Sequence, residues 1–200
     1  MVSVAHGTDS ALGRATRRRG DALLDAIYAA VMEELAEVGY ASLSIERVAE
    51  RARTGKASIY RRWPTRLDLV LEALDHVMPR FDEVPDTGTI RADLLVVLRS
   101  IATTMGSRVG AAAKACFEGT DQELAQAMRD RLLPQRKAVM IEILQRAAAR
   151  GEVRADAVTQ RIAETGPMLL HGELLQRGSP IPDSAVVAIV DEVLLPLLRP

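Results

Sequence analysis

The residues with the clearest chemical potential form a basic segment between Ser44 and Arg66. It holds seven Arg and Lys residues against two Glu residues, a local charge of +5 in a chain whose net charge is −1. The bases are Arg47, Arg51, Arg53, Lys56, Arg61, Arg62 and Arg66, and the acids are Glu46 and Glu50. Such a cluster attracts phosphate groups, and its polar side chains can donate hydrogen bonds to phosphates and base edges. The segment therefore predicts a surface that binds nucleic acid.

The sequence shows no arrangement typical of catalysis or of a metal site. Its three histidines, His6, His76 and His171, lie far apart. The pairs Asp75-His76 and His171-x-Glu173 face different sides of a helix and make poor dyads or metal sites. The sequence contains no glycine-rich phosphate loop, nucleophile elbow or metal-binding Cys/His spacing. We therefore predict no enzyme activity, no cofactor and no bound metal.

The cellular compartment is predicted from cysteine usage and hydropathy. Cys116 is the only cysteine, so no intrachain disulfide can form and a reducing environment is expected. It follows the apolar stretch 111–115 and is predicted to be a buried thiol rather than a redox sensor. No secretory signal follows Met1, and no uninterrupted apolar run could cross a bilayer. We therefore predict a cytoplasmic protein with no membrane partner.

Apolar residues at three- and four-residue spacing predict an all-α chain of about nine helices. Residues 1–20 are predicted to be a disordered leader, whose Arg14–Arg19 run could enter a narrow minor groove. A helix is predicted from Asp21 to Gly39. The rest of the chain is divided into a first domain, 21–66, and a larger helical domain, 67–200.

Residues 44–63 have the parts of a helix-turn-helix motif, which are a short helix, a tight turn and a second helix able to enter the major groove. Ser42 or Ser44 can cap the first helix, and the second, Lys56–Trp63, stops at Pro64. The small Ala49 lets the two helices cross closely. Two apolar positions four apart, Ile59 and Trp63, are predicted to face the core, which leaves Lys56, Ser58, Tyr60 and Arg61 pointing outward.

These motifs resemble those of the TetR family of bacterial regulators over residues 21–72. The matching positions are Gly39-Tyr40, Val48-Ala49, Ile59-Tyr60-Arg61-Arg62-Trp63 and Arg66. The resemblance implies a three-helix DNA-binding module followed by a helical bundle that binds a ligand and forms a dimer. Its partners would be a double-stranded operator and a small-molecule inducer, and its usual activity would be repression.

The resemblance also implies individual contacts with DNA. Base contacts would come from Lys56, Ala57 and Ser58, with Lys56 donating to guanine and Ala57 touching a thymine methyl. Phosphate contacts would come from Ser44, Tyr60, Arg61 and Arg66, and further contacts from Thr54 and Gly55 in the turn.

One position departs from the family pattern. The turn commonly has Gly where this chain has Arg53. If the backbone at Arg53 stays left-handed, the side chain costs about 1 kcal/mol of stability. Alternatively, Gly55 takes over the left-handed position, and the start of the second helix shifts.

The helical domain is predicted to bind a small apolar molecule. It is rich in Met, Leu, Val and Ala, and methionine suits a cavity that accepts irregular apolar ligands. By resemblance, the pocket residues would be Met105, Phe117, Met140, Leu144, Met168 and His171, with His171 as the polar anchor. A solid core is the alternative interpretation of the same composition.

Dimerisation is indicated by the last predicted helix, Ser184–Leu198. Its apolar surface is wider than one stripe, so the helix must be buried on two sides. We predict a homodimer through the last two helices, with two-fold symmetry and a palindromic operator. A helical ligand-binding or scaffold protein without sequence-specific DNA binding is the alternative function.

Overall fold

The computed structural model describes residues 9–79, 81, 84–107, 110, 112 and 121–199, with side chains from residue 20 onward. Regular structure in this part of the chain is entirely helical, which confirms the predicted all-α class. The helices are α1 (Asp9–Val38), α2 (Ile45–Arg51), α3 (Lys56–Arg62), α4 (Arg66–Val77), α5 (Ile90–Met105), α6 (Gln122–Arg131), α7 (Leu133–Ala149), α8 (Gln160–Arg177), α9 (Asp183–Ala188) and α10 (Leu195–Leu198). A π-helical stretch, Ile189–Leu194, joins the last two into one C-terminal helical segment, residues 183–198.

The first helix is longer than predicted. It begins at Asp9 rather than Asp21, so residues 9–20 are helical where we predicted a disordered leader. Ala, Leu and Arg are strong helix formers and dominate this stretch, while Asp9 and Ser10 suit the first turn. The first eight residues of the predicted leader lie outside the described part of the chain.

The helix boundaries around the predicted motif are set by local capping. Gly39 follows α1 with a φ of 70°, a conformation that glycine adopts without steric strain. Of the two candidate caps for α2, Ser44 is the residue used, and its hydroxyl accepts from the Arg47 amide. The Thr65 side chain caps α4 in the same way, through the Asp68 amide. The predicted helix-turn-helix is therefore confirmed as α2, turn and α3.

The apolar side chains form two cores. The first is built from α1 to α4 and includes Ile59, Trp63 and Leu69, with Leu124 and Met128 added from α6. The second is built from α5, α7, α8 and the C-terminal helical segment. The two cores separate after α4, because α4 buries one face against α1. The domain division at 66/67 stays a prediction.

Two prolines affect the helices differently. Pro134 lies in the first turn of α7, where its missing amide hydrogen is harmless, and α6 and α7 meet at Leu132. Pro167 lies inside α8, which continues through it. The preceding Gly166 lies so close to Leu98 and Leu194 that a β-carbon there would be 3.1 Å from their methyl groups. Glycine thus lets α8 pack tightly against α5 and the C-terminal helical segment.

Candidate nucleic-acid interface and ligand cavity

The turn between α2 and α3 keeps its left-handed residue at Arg53. The φ of Arg53 is 51°, whereas Gly55 is extended, with a φ of −85°, and precedes α3 as its N-cap. The amide of Thr54 donates to the Ala49 carbonyl at 2.9 Å and closes the turn. The first of the two predicted alternatives is therefore the observed one, and α3 begins at Lys56 as expected.

We expect Arg53→Gly to raise the free energy of unfolding by about 0.5–1 kcal/mol, because glycine relieves the left-handed strain and only part of that gain is offset by its greater freedom when unfolded. Thermal denaturation of the full-length protein measures the effect. Arg53→Ala is the matched control, since it removes the same side chain but keeps a β-carbon and hence the strain. Equal melting temperatures for the two variants would contradict the explanation.

The buried and the exposed faces of α3 are the ones that the sequence predicts. Ile59 is 0% and Trp63 2% exposed, so both belong to the core. On the opposite face, Tyr60 is 49% exposed, and Lys56, Ala57 and Arg61 are also exposed, while Ser58 is half-buried. The Arg61 guanidinium lies 3.5 Å from the Ser58 hydroxyl. The structure thus brings the predicted base- and phosphate-contacting side chains together on one accessible face.

Two of the seven bases in this segment form ion pairs with acids of α1. Arg47 and Arg51 on α2 both pair with Glu34 of α1, whose side chain is fully buried. The distances from their Nε atoms to the Glu34 carboxylate are 2.5 and 3.3 Å. Arg51 also pairs with Glu33 and Glu37. These two arginines fix α2 on α1, so the charge that faces outward is smaller than the sequence count suggests.

Lys56 lies at the start of α3 and has an exposed partner on α2. Its Nζ is 2.6 Å from Oε1 of Glu46, whose other carboxylate oxygen accepts from the Ser44 hydroxyl at 3.0 Å. Hydrogen bonding from Lys56 is the main cause that lowers the pKa of Glu46 to about 2. Ser44, predicted to contact phosphate, therefore also caps α2 and orients Glu46.

Arg66 has a structural role that the sequence did not reveal. Its guanidinium carbon lies 4.3 Å from the centre of the Tyr40 ring, and Nη1 donates to the Ala41 carbonyl at 3.1 Å. Burial raises the pKa of Tyr40, and the nearby Arg66 charge opposes that rise. Arg66 thereby fixes the loop after α1 to the start of α4, and its phosphate contact stays a prediction.

Glu72 connects the end of α3 to α1 and was missed by the sequence analysis. It accepts from Trp63 Nε1 at 2.9 Å and from the Tyr28 hydroxyl at 2.6 Å. The available signal was the spacing of three acids, Asp68, Glu72 and Asp75, along α4. Asp68 contacts Arg131 of α6 and Asp75 contacts Arg136 of α7, both at 3.0 Å. The polar side chains of α4 therefore join α1 and the end of α3 to the C-terminal helices.

A cavity of about 880 Å³ lies between α4, α5, α7 and α8. Four of the predicted ligand residues, Met105, Met140, Met168 and His171, line it. Leu144 does not line it and packs in the second core. Phe117 lies outside the described residues, as does Cys116. Sequence reasoning missed the cavity residues contributed by α4 and by the segment after it, such as Asp75, Met78 and Phe81.

The charged groups of the cavity wall are paired with one another. Arg136 contacts Asp75 at 3.0 Å, and Lys137 contacts Glu164 at 2.6 Å. The rest of the wall is mainly apolar, with Val97, Ile101, Val139, Leu133, Pro167 and Leu174 among its side chains. The cavity can therefore hold a bulky apolar molecule, with few polar groups available to orient it.

Apolar side chains remain exposed on the outer face of the last two helical elements. On α8, Leu169 is 37% and Leu175 53% exposed, and a β-carbon at Gly172 would meet nothing within 4 Å. Met168, which also lines the cavity, is 70% exposed. On the C-terminal helical segment, Leu197 is 40% exposed. An exposed apolar face with a small residue in it is typical of a surface that another helix covers.

The described part of the chain contains no helix long and apolar enough to cross a membrane. Among the same residues, no three His, Cys, Asp or Glu side chains are grouped so that they could hold a metal ion.

These features define a helix-turn-helix DNA-binding protein. They are the core formed by α1 to α4, the capped α2, the tight turn and the exposed basic face of α3. The sequence matches the description "Bacterial regulatory proteins, tetR family" over residues 27–73 and the description "Tetracyclin repressor-like, C-terminal domain" over residues 84–193. The chain therefore belongs to the TetR family of transcriptional regulators and is not an enzyme.

Individual relatives agree with this assignment. The chain is 33% identical to the DNA-binding transcriptional repressor TetR of Mycobacteroides abscessus, over 91% of this chain and 97% of that protein. It is 31% identical to the HTH-type transcriptional regulator Rv1556 of Mycobacterium tuberculosis, over 86% of each chain. Its fold resembles the crystal structure of the TetR family transcription regulator SCO0332, with a TM-score of 0.64, 31% identity and coverage of 89% of this chain and 99% of that one. Salmonella enterica GusR shares the fold at 18% identity, with a TM-score of 0.67 and coverage of 88% and 95%.

Proposed function

We propose that this regulator is a ligand-responsive repressor, which binds a palindromic operator as a homodimer and is released by a small apolar molecule. The observation that carries the proposal is the apolar cavity of about 880 Å³. It is bordered by α4, whose Glu72 side chain also accepts a hydrogen bond from Trp63 at the end of the recognition helix α3. A relative is described as a DNA-binding transcriptional repressor, which supports the direction of regulation. Such a protein would act in the cytoplasm, where the operator is accessible.

DNA binding is assigned to the exposed face of α3 and the preceding turn. In a helix-turn-helix protein the first residues of the second helix approach the base edges, so Lys56, Ala57 and Ser58 would contact bases. Tyr60 and Arg61, one turn further on, would contact phosphates together with Ser44 and Arg66. Thr54 and Gly55 lie directly before α3 and would approach the same backbone.

The ligand would occupy the cavity lined by Met105, Met140, Met168 and His171. Methionine side chains adapt to irregular shapes, and His171 can donate or accept one hydrogen bond. Because the acidic and basic groups of the wall already pair, an uncharged ligand avoids leaving either partner without its counter-ion. These features favour a neutral, mainly apolar inducer.

Communication between the sites would run through α4. Asp75 and Arg136 border the cavity and contact each other, and Glu72, one turn before Asp75, holds Trp63 at the end of α3. A ligand that prefers a shifted α4 would therefore shift α3 as well. Operator affinity can fall at most by the factor by which the ligand binds one geometry more tightly than the other.

Filling the cavity is expected to abolish ligand binding while leaving DNA binding intact. Ile101 lines the cavity on α5, so Ile101→Trp places a bulky ring in the ligand volume. Val96 lies on the same helix but is 43% exposed, which makes Val96→Trp the matched control. The neutral fluorophore N-phenyl-1-naphthylamine, which brightens in apolar surroundings, would report binding in a titration of each full-length protein.

The proposal expects the fluorophore to bind the wild type and Val96→Trp but not Ile101→Trp. All three proteins should retain equal affinity for an operator selected from a random duplex library. Equal fluorophore binding by both variants would contradict the assigned cavity. A cavity-bound molecule that leaves operator affinity unchanged at saturation would contradict the release mechanism but not DNA binding.

A further inference from the structure

Glu46 and Lys56 form an exposed ion pair where α2 meets the start of α3. Their contacting atoms are 2.6 Å apart, and their side chains are 55% and 53% exposed. The second carboxylate oxygen of Glu46 is held by the Ser44 hydroxyl at 3.0 Å. A strong donor and a strong acceptor therefore lie side by side, and the donor, Lys56, is itself one of the residues assigned to base contact.

This spacing matches the major-groove edge of a G·C base pair. There, guanine O6 accepts a hydrogen bond from the cytosine N4 amino group, so these two atoms are about 2.9 Å apart. Guanine O6 and N7 accept from lysine, and the remaining N4 hydrogen donates to a carboxylate. A donor and an acceptor that face both bases at once must have nearly the separation seen between Lys56 and Glu46.

We propose that Glu46 is a specificity-determining residue that, together with Lys56, recognises one G·C base pair in each operator half-site. Lys56 Nζ donates to guanine O6 and N7, and the Glu46 carboxylate accepts from cytosine N4. This inference rests on the proposed operator binding and adds a residue that the family resemblance did not supply.

The negative charge of Glu46 needs an explanation on a surface that faces DNA. An exposed acid on a phosphate-facing surface weakens binding to any DNA, because it repels the backbone. A carboxylate in the first turn of α2 also interacts favourably with the helix dipole. Stabilisation of α2 is therefore the structural alternative to base contact. The two roles differ in their consequence, since only base contact makes the effect of Glu46 depend on one position of the DNA sequence.

The test uses Glu46→Ala, Lys56→Ala and the control Glu50→Ala, which removes an exposed acid from the same helix. A site is first selected from a random duplex library with the full-length wild type. Dissociation constants are then measured for each protein on that site and on sites with every single base-pair change. Circular dichroism confirms that each variant is folded.

We expect the wild type to prefer G·C at one position of each half-site by about tenfold or more. Glu46→Ala and Lys56→Ala should both lose this preference at the same position, and Glu50→Ala should keep it. If Glu46→Ala instead tightens binding evenly and keeps every preference, the acid is only electrostatic or structural and the inference is wrong. If the wild type selects no sequence, the proposed operator binding fails and the inference fails with it.

Discussion

Trp63→Ala is expected to lower the free energy of unfolding by about 3–5 kcal/mol, which is the usual effect of deleting a fully buried large aromatic side chain. Trp63 is 2% exposed and sits at the junction of α1, α3 and α4. Its ring meets the Tyr28 ring edge-on at 6.0 Å, and its Nε1 donates to Glu72 at 2.9 Å. The substitution removes the packing and leaves one carboxylate oxygen of Glu72 without this donor.

Because domains of this size are stable by only about 5–15 kcal/mol, the substitution removes a large part of the stability of the first core. DNA binding should weaken as the folded fraction of this core falls. The second core shares no buried contact with Trp63, so much of the helical signal from the C-terminal helices should remain. Denaturation followed by far-ultraviolet circular dichroism should then show an earlier first transition.

Trp63→Phe is the matched control, since it keeps an aromatic ring and removes the hydrogen bond to Glu72. We expect an intermediate loss of stability and partial retention of DNA binding. Trp63 is the only tryptophan, so its fluorescence reports directly on this junction in the wild type. A Trp63→Ala protein that unfolds within about 1 kcal/mol of the wild type would show that the ring does not hold α3 in place.

The helix-turn-helix could be predicted because its determinants are local. Capping by Ser44 and Thr65, the glycine after α1 and the four-residue spacing of Ile59 and Trp63 each involve only neighbours in sequence. The same reasoning failed at the start of α1, because a basic stretch without clear apolar periodicity still has high helix propensity.

The side-chain partners could not be predicted in this way. Glu72 and Trp63 are 9 residues apart, Arg66 and Ala41 are 25 apart, and Asp75 and Arg136 are 61 apart. Periodicity tells which face of a helix is apolar, but not which residue of another helix a charged group will meet. The outward charge of the basic segment was therefore overestimated, since Arg47 and Arg51 pair with α1.

The cavity between α4, α5, α7 and α8 was predicted only in part for a related reason. Composition indicated an adaptable apolar interior, and four of the six named residues line the cavity. Leu144 and Met140 both lie on α7 and both belong to the second core, but only Met140 also lines the cavity. A helix surrounded by apolar neighbours gives no sequence signal that separates a filled side from an empty one.

Charged substitutions on the outer face of the last helices are expected to separate the proposed homodimer. Leu175→Glu on α8 and Leu197→Glu in the C-terminal helical segment each place a carboxylate on the exposed apolar face. In an interface with two-fold symmetry every substitution occurs twice, and two unpaired carboxylates would be buried. We expect each variant to be monomeric in sedimentation experiments at concentrations where the wild type is dimeric.

Operator affinity should fall when the dimer dissociates, because the second DNA-binding module is no longer held at a high effective concentration near its half-site. Linked binding of this kind commonly gains a factor of about 10²–10⁴, so a loss of at least a hundredfold is expected, without any change in the preferred half-site. Val96→Glu is the matched control, since it charges a similarly exposed apolar residue on α5. If Leu175→Glu and Leu197→Glu remained dimeric, the two-fold contact would have to use another surface, and the outer face of α8 would need a different partner.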